Sequence, residues 1–159
     1  MPGPDTPLST MKIALGADHA GVALKTDVKS MLDELGVAYE DFGPTTDTSV
    51  DYPDFAAMVA HGVASRRFDC GILICGSGIG MAIAANKVPG IRAATVGDVE
   101  AARLCREHND ANVLTLGARV TPANAARAIV RVFLETAFAG GRHQRRIDKI
   151  TDLERQPSS

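Results

Sequence analysis

Apolar positions along this chain switch between a period near two and a period near 3.6, and the switching predicts strand and helix in alternation almost from end to end. Lys12 to Ala17 reads as a short apolar strand that stops at Asp18-His19-Ala20-Gly21. Leu24, Val28, Met31, Leu32 and Leu35 then share one helical face, with Gly36 as the stop. Val37 to Phe42 fits a second strand, residues 43–51 a polar loop, and Pro53 the start of a helix that turns Phe55, Met58, Val59 and Val63 inward. A third strand, Cys70 to Cys75, leads into a glycine turn and a helix through Lys87. Ile91 to Val96 is a fourth strand, Asp98 opens a helix reaching about Glu107, and Val113 to Leu116 is a fifth strand. Thr121 and Pro122 make an N-cap and first-turn pair for a helix carrying Ala126, Ile129, Val130, Phe133 and Leu134. A last, charged helix follows Gly140-Gly141, with Ile147, Ile150 and Leu153 spaced by three.

This order predicts an α/β fold: a doubly wound, Rossmann-like parallel sheet of about five strands with helices on both faces. Ligands of such open sheets bind beyond the carboxyl ends of the strands. Asp18-His19 and Cys75-Gly76 each fall at such an end and are expected to meet. Residues 1–10, rich in Pro, Ser, Thr and Gly, read as a flexible tail with Met11 as an alternative start; residues 11–155 read as a single domain, and 156–159 as a frayed end.

Composition narrows the partners. The chain has 159 residues, 45% hydrophobic and 23% charged, with a formal net charge of −2. Basic residues are not in excess and there is no Trp, which argues against nucleic acid and against an anionic membrane surface. No stretch approaches a membrane span and no signal peptide opens the chain. Cys70, Cys75 and Cys105 do not form a disulfide framework; Cys70 and Cys75, five apart on one strand, point to opposite faces. The cytoplasm, a reducing compartment, is the expected location.

The segment Ile72-Leu73-Ile74-Cys75-Gly76-Ser77-Gly78-Ile79-Gly80 concentrates the candidate chemistry. A tight turn before a helix start aims unpaired N–H groups outward, where negative charge is stabilised, and a thiol at the strand tip is favoured as thiolate. The glycine spacing, Gly76-x-Gly78-x-Gly80 with Met81 next, departs from the dinucleotide fingerprint, and no Gly-Lys-Ser/Thr follows as in a P-loop. Two readings remain: an oxyanion cradle with Cys75 moving a proton, or a buried, inert cysteine beside an ordinary turn. Asp18 and His19 either face the strand-end crevice or, respectively, cap the next helix and lie exposed. His108 closes a helix whose dipole favours its charged form, with Asn109 and Asp110 beside it. Arg142 and Arg146, four apart, share a helical face suited to a phosphate dianion, as does Arg119 after the fifth strand; a merely solvated face is the alternative.

Together these pieces resemble one family, ribose-5-phosphate isomerase B, in the group that includes the galactose- and allose-6-phosphate isomerases. The matching segments, in order, are Gly16-Ala17-Asp18-His19-Ala20-Gly21, Asp51-Tyr52-Pro53, Gly71 through Gly80, Ala84-Ala85-Asn86-Lys87, His108-Asn109-Asp110, Gly117-Ala118-Arg119-Val120 and Gly140-Gly141-Arg142-His143-Gln144-x-Arg146. The resemblance implies metal-free and cofactor-free aldose–ketose isomerisation of a phosphorylated sugar, by a homodimer or dimer of dimers with active sites at the subunit interface. It implies Cys75 as base and His108 as ring-opening acid. Asp18, His19, Asn109, Arg119, Arg142 and Arg146, with the loop Gly76, Ser77, Gly78, Ile79 and Gly80, would bind substrate; Asp18 and Ser77 would also assist catalysis. Ser77 stands where many relatives have threonine, and it keeps the hydroxyl. A second branch uses a glutamate in place of the cysteine; no carboxylate follows here through Ala82, so the chain resembles the cysteine branch. A hexose 6-phosphate such as allose 6-phosphate is the alternative substrate, and a non-catalytic sugar-phosphate-binding regulatory subunit the alternative function.

Overall fold

The two longest apolar runs become the centre of the sheet. β1 (Lys12–Ala17) and β3 (Cys70–Cys75) pair in parallel, Leu15 opposite Ile72, and nearly every residue in them is buried. Strands covered on both faces need apolar residues at successive positions rather than alternating ones, which these runs supply. The computed structural model describes residues 6–157; the first five positions of the expected tail and the last two of the expected frayed end lie outside the described residues. Within the tail, Leu8–Thr10 forms a 3-10 turn, and Leu8 packs against the core.

β2 (Ala38–Asp41), β4 (Ala93–Thr95) and β5 (Val113–Gly117) complete a five-stranded sheet in the order β2-β1-β3-β5-β4, every ladder parallel. The expected α/β architecture is present. The pleat divides the core in two: Cys70, Ile72 and Ile74 join one cluster, Leu73 and Cys75 the other. The first face is covered by α1 (Val22–Leu35), α4 (Val99–Glu107) and α5 (Ala123–Glu135), the second by α2 (Tyr52–Ala64) and α3 (Ile79–Ala85). Each of these faces is a separate apolar layer, and burial of large side chains such as Phe133 or Leu73 is worth roughly 1.5–3 kcal/mol apiece.

Both edge strands are shorter than the apolar runs predict. Ile91 to Val96 narrows to Ala93–Thr95 because side chains do part of the ladder's work: Asn112 Oδ1 accepts from Arg92 N–H at 2.8 Å, and Asn86 Oδ1 from Ala93 N–H at 2.7 Å. α5 starts one residue late, with Pro122 at the cap rather than in the first turn; the Thr121 N–H bonds the Gly117 carbonyl at 2.9 Å. α1 ends at Gly36 and Asp98 caps α4 by accepting from Ala101 N–H at 2.7 Å, both as the sequence predicts. The last helix, α6 (Arg142–Glu154), buries only Ile147. Ile150 and Leu153 are 44% and 64% exposed, and with Ile91 and Ala94 they line an open groove of about 630 Å³.

From β1 the chain runs through α1 to β2 on one side, then through α2 to β3 on the other. The loops leaving β1 and β3 therefore part over a crevice at the carboxyl end of the sheet.

Candidate active site

At that crevice the two expected loops meet. Asp18 N–H donates to the Ile74 carbonyl at 3.0 Å, binding the end of β1 to the end of β3. Asp18 is buried, and its Oδ1 accepts from Ala20 N–H at 2.9 Å and Gly21 N–H at 3.2 Å. It is thus both a cap and a crevice residue, with Oδ2 left for a ligand. His19 Nδ1 accepts from Val50 N–H at 3.3 Å, so in this arrangement the ring proton sits on Nε2 and the 43–51 loop is drawn over the site.

Cys75 closes β3, and its Sγ accepts from Gly78 N–H at 3.1 Å. Gly78 holds φ +80°, and a Cβ there would stand 2.9 Å from the Leu116 carbonyl carbon, so both backbone and space demand glycine. Ser77 Oγ accepts from Ile79 N–H at 3.2 Å. Two of the cradle's N–H groups, those of Gly78 and Ile79, are thereby engaged within the loop. This corrects the expectation that the amides from Gly76 to Gly80 all face a ligand; the Ser77 and Gly80 N–H groups have no acceptor among the described residues.

Arg119 belongs to the same end. β5 lies beside β3, Arg119 N–H bonds the Gly76 carbonyl at 3.0 Å, and its guanidinium lies over Gly76. Tyr52 was not singled out by its chemistry. Its ring lies against Gly80, where a Cβ would come within 2.5 Å of Cζ, so the phenol forms a wall of the turn. Its signal in the sequence was the Asp51-Tyr52-Pro53 segment. Burial pushes the thiol of Cys70 up to about 12 and that of Cys105 up to about 11.

The remaining candidates are elsewhere. α4 leaves the carboxyl end of β4 and ends at the amino end of β5, carrying His108 and Asn109 with it. Five residues of β5 separate the two ends, about 16 Å at the usual rise per strand residue. The start of α6 joins them: the His143 ring stacks on His108 with centroids 4.2 Å apart, and Arg142 and Arg146 lie exposed beside it. Partial burial first, then the charges of His108, Arg142 and Arg146, hold His143 below its ordinary value of 6.5. One chain thus places Asp18, His19, the Cys75–Gly80 loop and Arg119 at one end of the sheet, and His108, Asn109, Arg142 and Arg146 at the other.

The profile of the Ribose/Galactose Isomerase family matches residues 13–150. Ribose-5-phosphate isomerase B of Escherichia coli is 46% identical over 145 residues, 91% of this chain and 97% of that protein. The ribose-5-phosphate isomerase B structure from Clostridium thermocellum superposes with a TM-score of 0.90 at 50% identity, covering 91% of this chain and 98% of the other. A Mycoplasma genitalium ribose-5-phosphate isomerase B, solved with ribulose 5-phosphate bound, superposes at 0.89 and 43% identity, over 93% and 99% of the two chains.

Proposed function

Because the chain belongs to the ribose/galactose isomerase family and is an aldose–ketose isomerase, we propose that it interconverts ribose 5-phosphate and ribulose 5-phosphate through a cis-enediolate, without metal or cofactor. The observation that carries this reading is Cys75 Sγ, held by the Gly78 N–H at the mouth of the β1/β3 crevice. As thiolate it takes the proton from C2 of the open aldose and returns it to C1. The Ser77 hydroxyl and the open N–H groups of the turn receive the oxygen charge that develops, an interaction worth about 2.7–4 kcal/mol per well-aimed donor.

The substrate enters as a furanose, so its ring must first open. His108 in protonated form donates to the ring oxygen, and Asp18 Oδ2 or a water accepts the anomeric proton. Arg142, Arg146 and Arg119, with His19 and Asn109, hold the phosphate and sugar hydroxyls, and that remote binding orients C2 against the sulfur. A thiolate and an acid at opposite ends of the sheet in one chain, with the length of β5 between those ends, cannot touch one pentose. The reading therefore requires a second copy of the chain whose His108 end closes on the Cys75 end of the first. The exposed stripe of Ile150 and Leu153 on α6 supports a homodimer, since a face left apolar outside its own core asks for cover. The test is isomerisation of ribose 5-phosphate by purified protein in EDTA, with allose 6-phosphate alongside. A higher kcat/KM for the pentose is expected; preference for the hexose moves the substrate, and turnover of neither overturns the reading.

A further inference from the structure

We propose that Asp110, clamped between Arg92 and Arg106, is a positioning residue that sets the ring-opening acid; the proposal rests on the reading of His108 given above. Asp110 is not glycine yet holds φ +45°, and Arg66 is the only other such residue among those described. A backbone in that region persists where its surroundings impose it. Here they do so with two guanidinium groups.

Arg106 is 1% exposed; its Nη1 donates to Asp110 Oδ1 and to the Ala111 carbonyl, both at 2.7 Å, and its Nε to the Thr136 carbonyl at 3.1 Å. Arg92 approaches from the other side: Nη2 donates to the Asp110 carbonyl at 2.9 Å and to Oδ2 at 3.3 Å, and Nε to the Asn109 carbonyl at 2.9 Å. A largely desolvated ion pair is a poor source of net stability, because desolvation consumes much of the attraction. What this one does provide is geometry. It fixes the carbonyls of residues 109, 110 and 111, the turn on which His108 and Asn109 ride. Through Thr136 it also fixes the start of the segment leading to Arg142, and Ala139 N–H bonds the Glu107 carbonyl at 3.0 Å to close the same loop. The turn that carries the acid is thus set by a single carboxylate, while the tie to the Arg142 segment runs through Arg106 Nε and does not need it.

The experiment uses Asp110→Asn, which keeps the shape and tolerates the left-handed backbone while removing the charge. Two rates are measured: net conversion of ribulose 5-phosphate to ribose 5-phosphate, and deuterium wash-in from solvent at C1 of ribulose 5-phosphate. That ketose has its C5 hydroxyl phosphorylated and stays open-chain, so wash-in needs Cys75 and no ring closure. Net conversion is expected to fall about tenfold with wash-in changed less than about twofold, a displaced catalytic group commonly costing one to two orders of magnitude. His108→Gln, run in parallel, should show the same rise in the ratio of wash-in to conversion. If His108→Gln raises the ratio and Asp110→Asn does not, or lowers both rates together, the positioning role is overturned while the reading of His108 stands. If His108→Gln leaves the ratio unchanged, both fall. Arg92→Met, at a side chain 22% exposed, decides the matter in the same way should Asp110→Asn fail to fold.

Discussion

The two ends of the sheet solve different problems with different materials. At the carboxyl end the proposed working parts are backbone N–H groups, glycines and a thiol, set by turns that begin at the strand tips; Gly78 and Cys75 are three residues apart and joined by a hydrogen bond. At the amino end they are imidazoles and guanidiniums, set by side chains brought from far along the chain; Arg92, Arg106 and Thr136 converge on one turn. A site made of amides can be built by one local segment. A site made of cations must have its like charges held together against repulsion, which calls for a half-buried carboxylate and long-range ties.

Removing the centre of the first end has the largest expected effect. Cys75→Ala is expected to lower turnover by about 10³-fold or more, the scale of a lost general base, while isothermal titration with ribose 5-phosphate still shows binding. Retained turnover would move the base elsewhere. Next in size is a mixing experiment. Cys75→Ala and His108→Gln, each nearly inactive alone, are dissociated, combined in equal amounts and reassociated. If the two ends meet only between copies, half of the dimers are mixed and each has one intact site, so about a quarter of wild-type activity returns. No recovery would show that both ends serve the same chain.

Smaller effects separate grip from chemistry at the second end. Arg142→Ala or Arg146→Ala is expected to raise KM by about ten- to a hundredfold with kcat less affected, as one charge-assisted hydrogen bond is worth about 1.5–3 kcal/mol. The smallest effect concerns pH. His143 is held below its ordinary 6.5, so the folded state binds its proton less readily than the unfolded chain does. Its contribution is complete above 6.5 and is lost as pH falls from there through the lower folded value. Histidine NMR titration should give His143 a midpoint below 6.5, and His143→Gln should flatten that part of the stability profile. A midpoint at or above 6.5 would refute the crowding of charge at this end.

The difference between the ends also explains what could be read from the sequence. β1, β3 and the glycine turn were legible because contiguous residues determine them. β4 was overestimated because Asn86 and Asn112 take over ladder positions, an exchange that hydropathy does not record. The candidate residues were found, but their division between two ends was not drawn from the sequence, although the information was present. A crossover helix in a parallel sheet must end at the opposite end of the strands from the one it leaves, which places His108 away from Cys75. The clamp around Asp110 lay beyond such reasoning, since nothing local marks arginines that share one carboxylate, and the Asp51-Tyr52-Pro53 segment did not say that its phenol walls Gly80.

The pleat of β3 has a last consequence, for oxidation. Cys70 and Cys105 line one layer of the core and Cys75 the other, with the sheet between them. A disulfide needs Cα atoms within about 7 Å, so a sulfenic acid formed at Cys75 finds no resolving thiol in its own chain. Odd spacing along one strand thus leaves Cys75 without an intrachain disulfide partner, so any oxidised form of it would have to be reduced by a thiol from outside the chain.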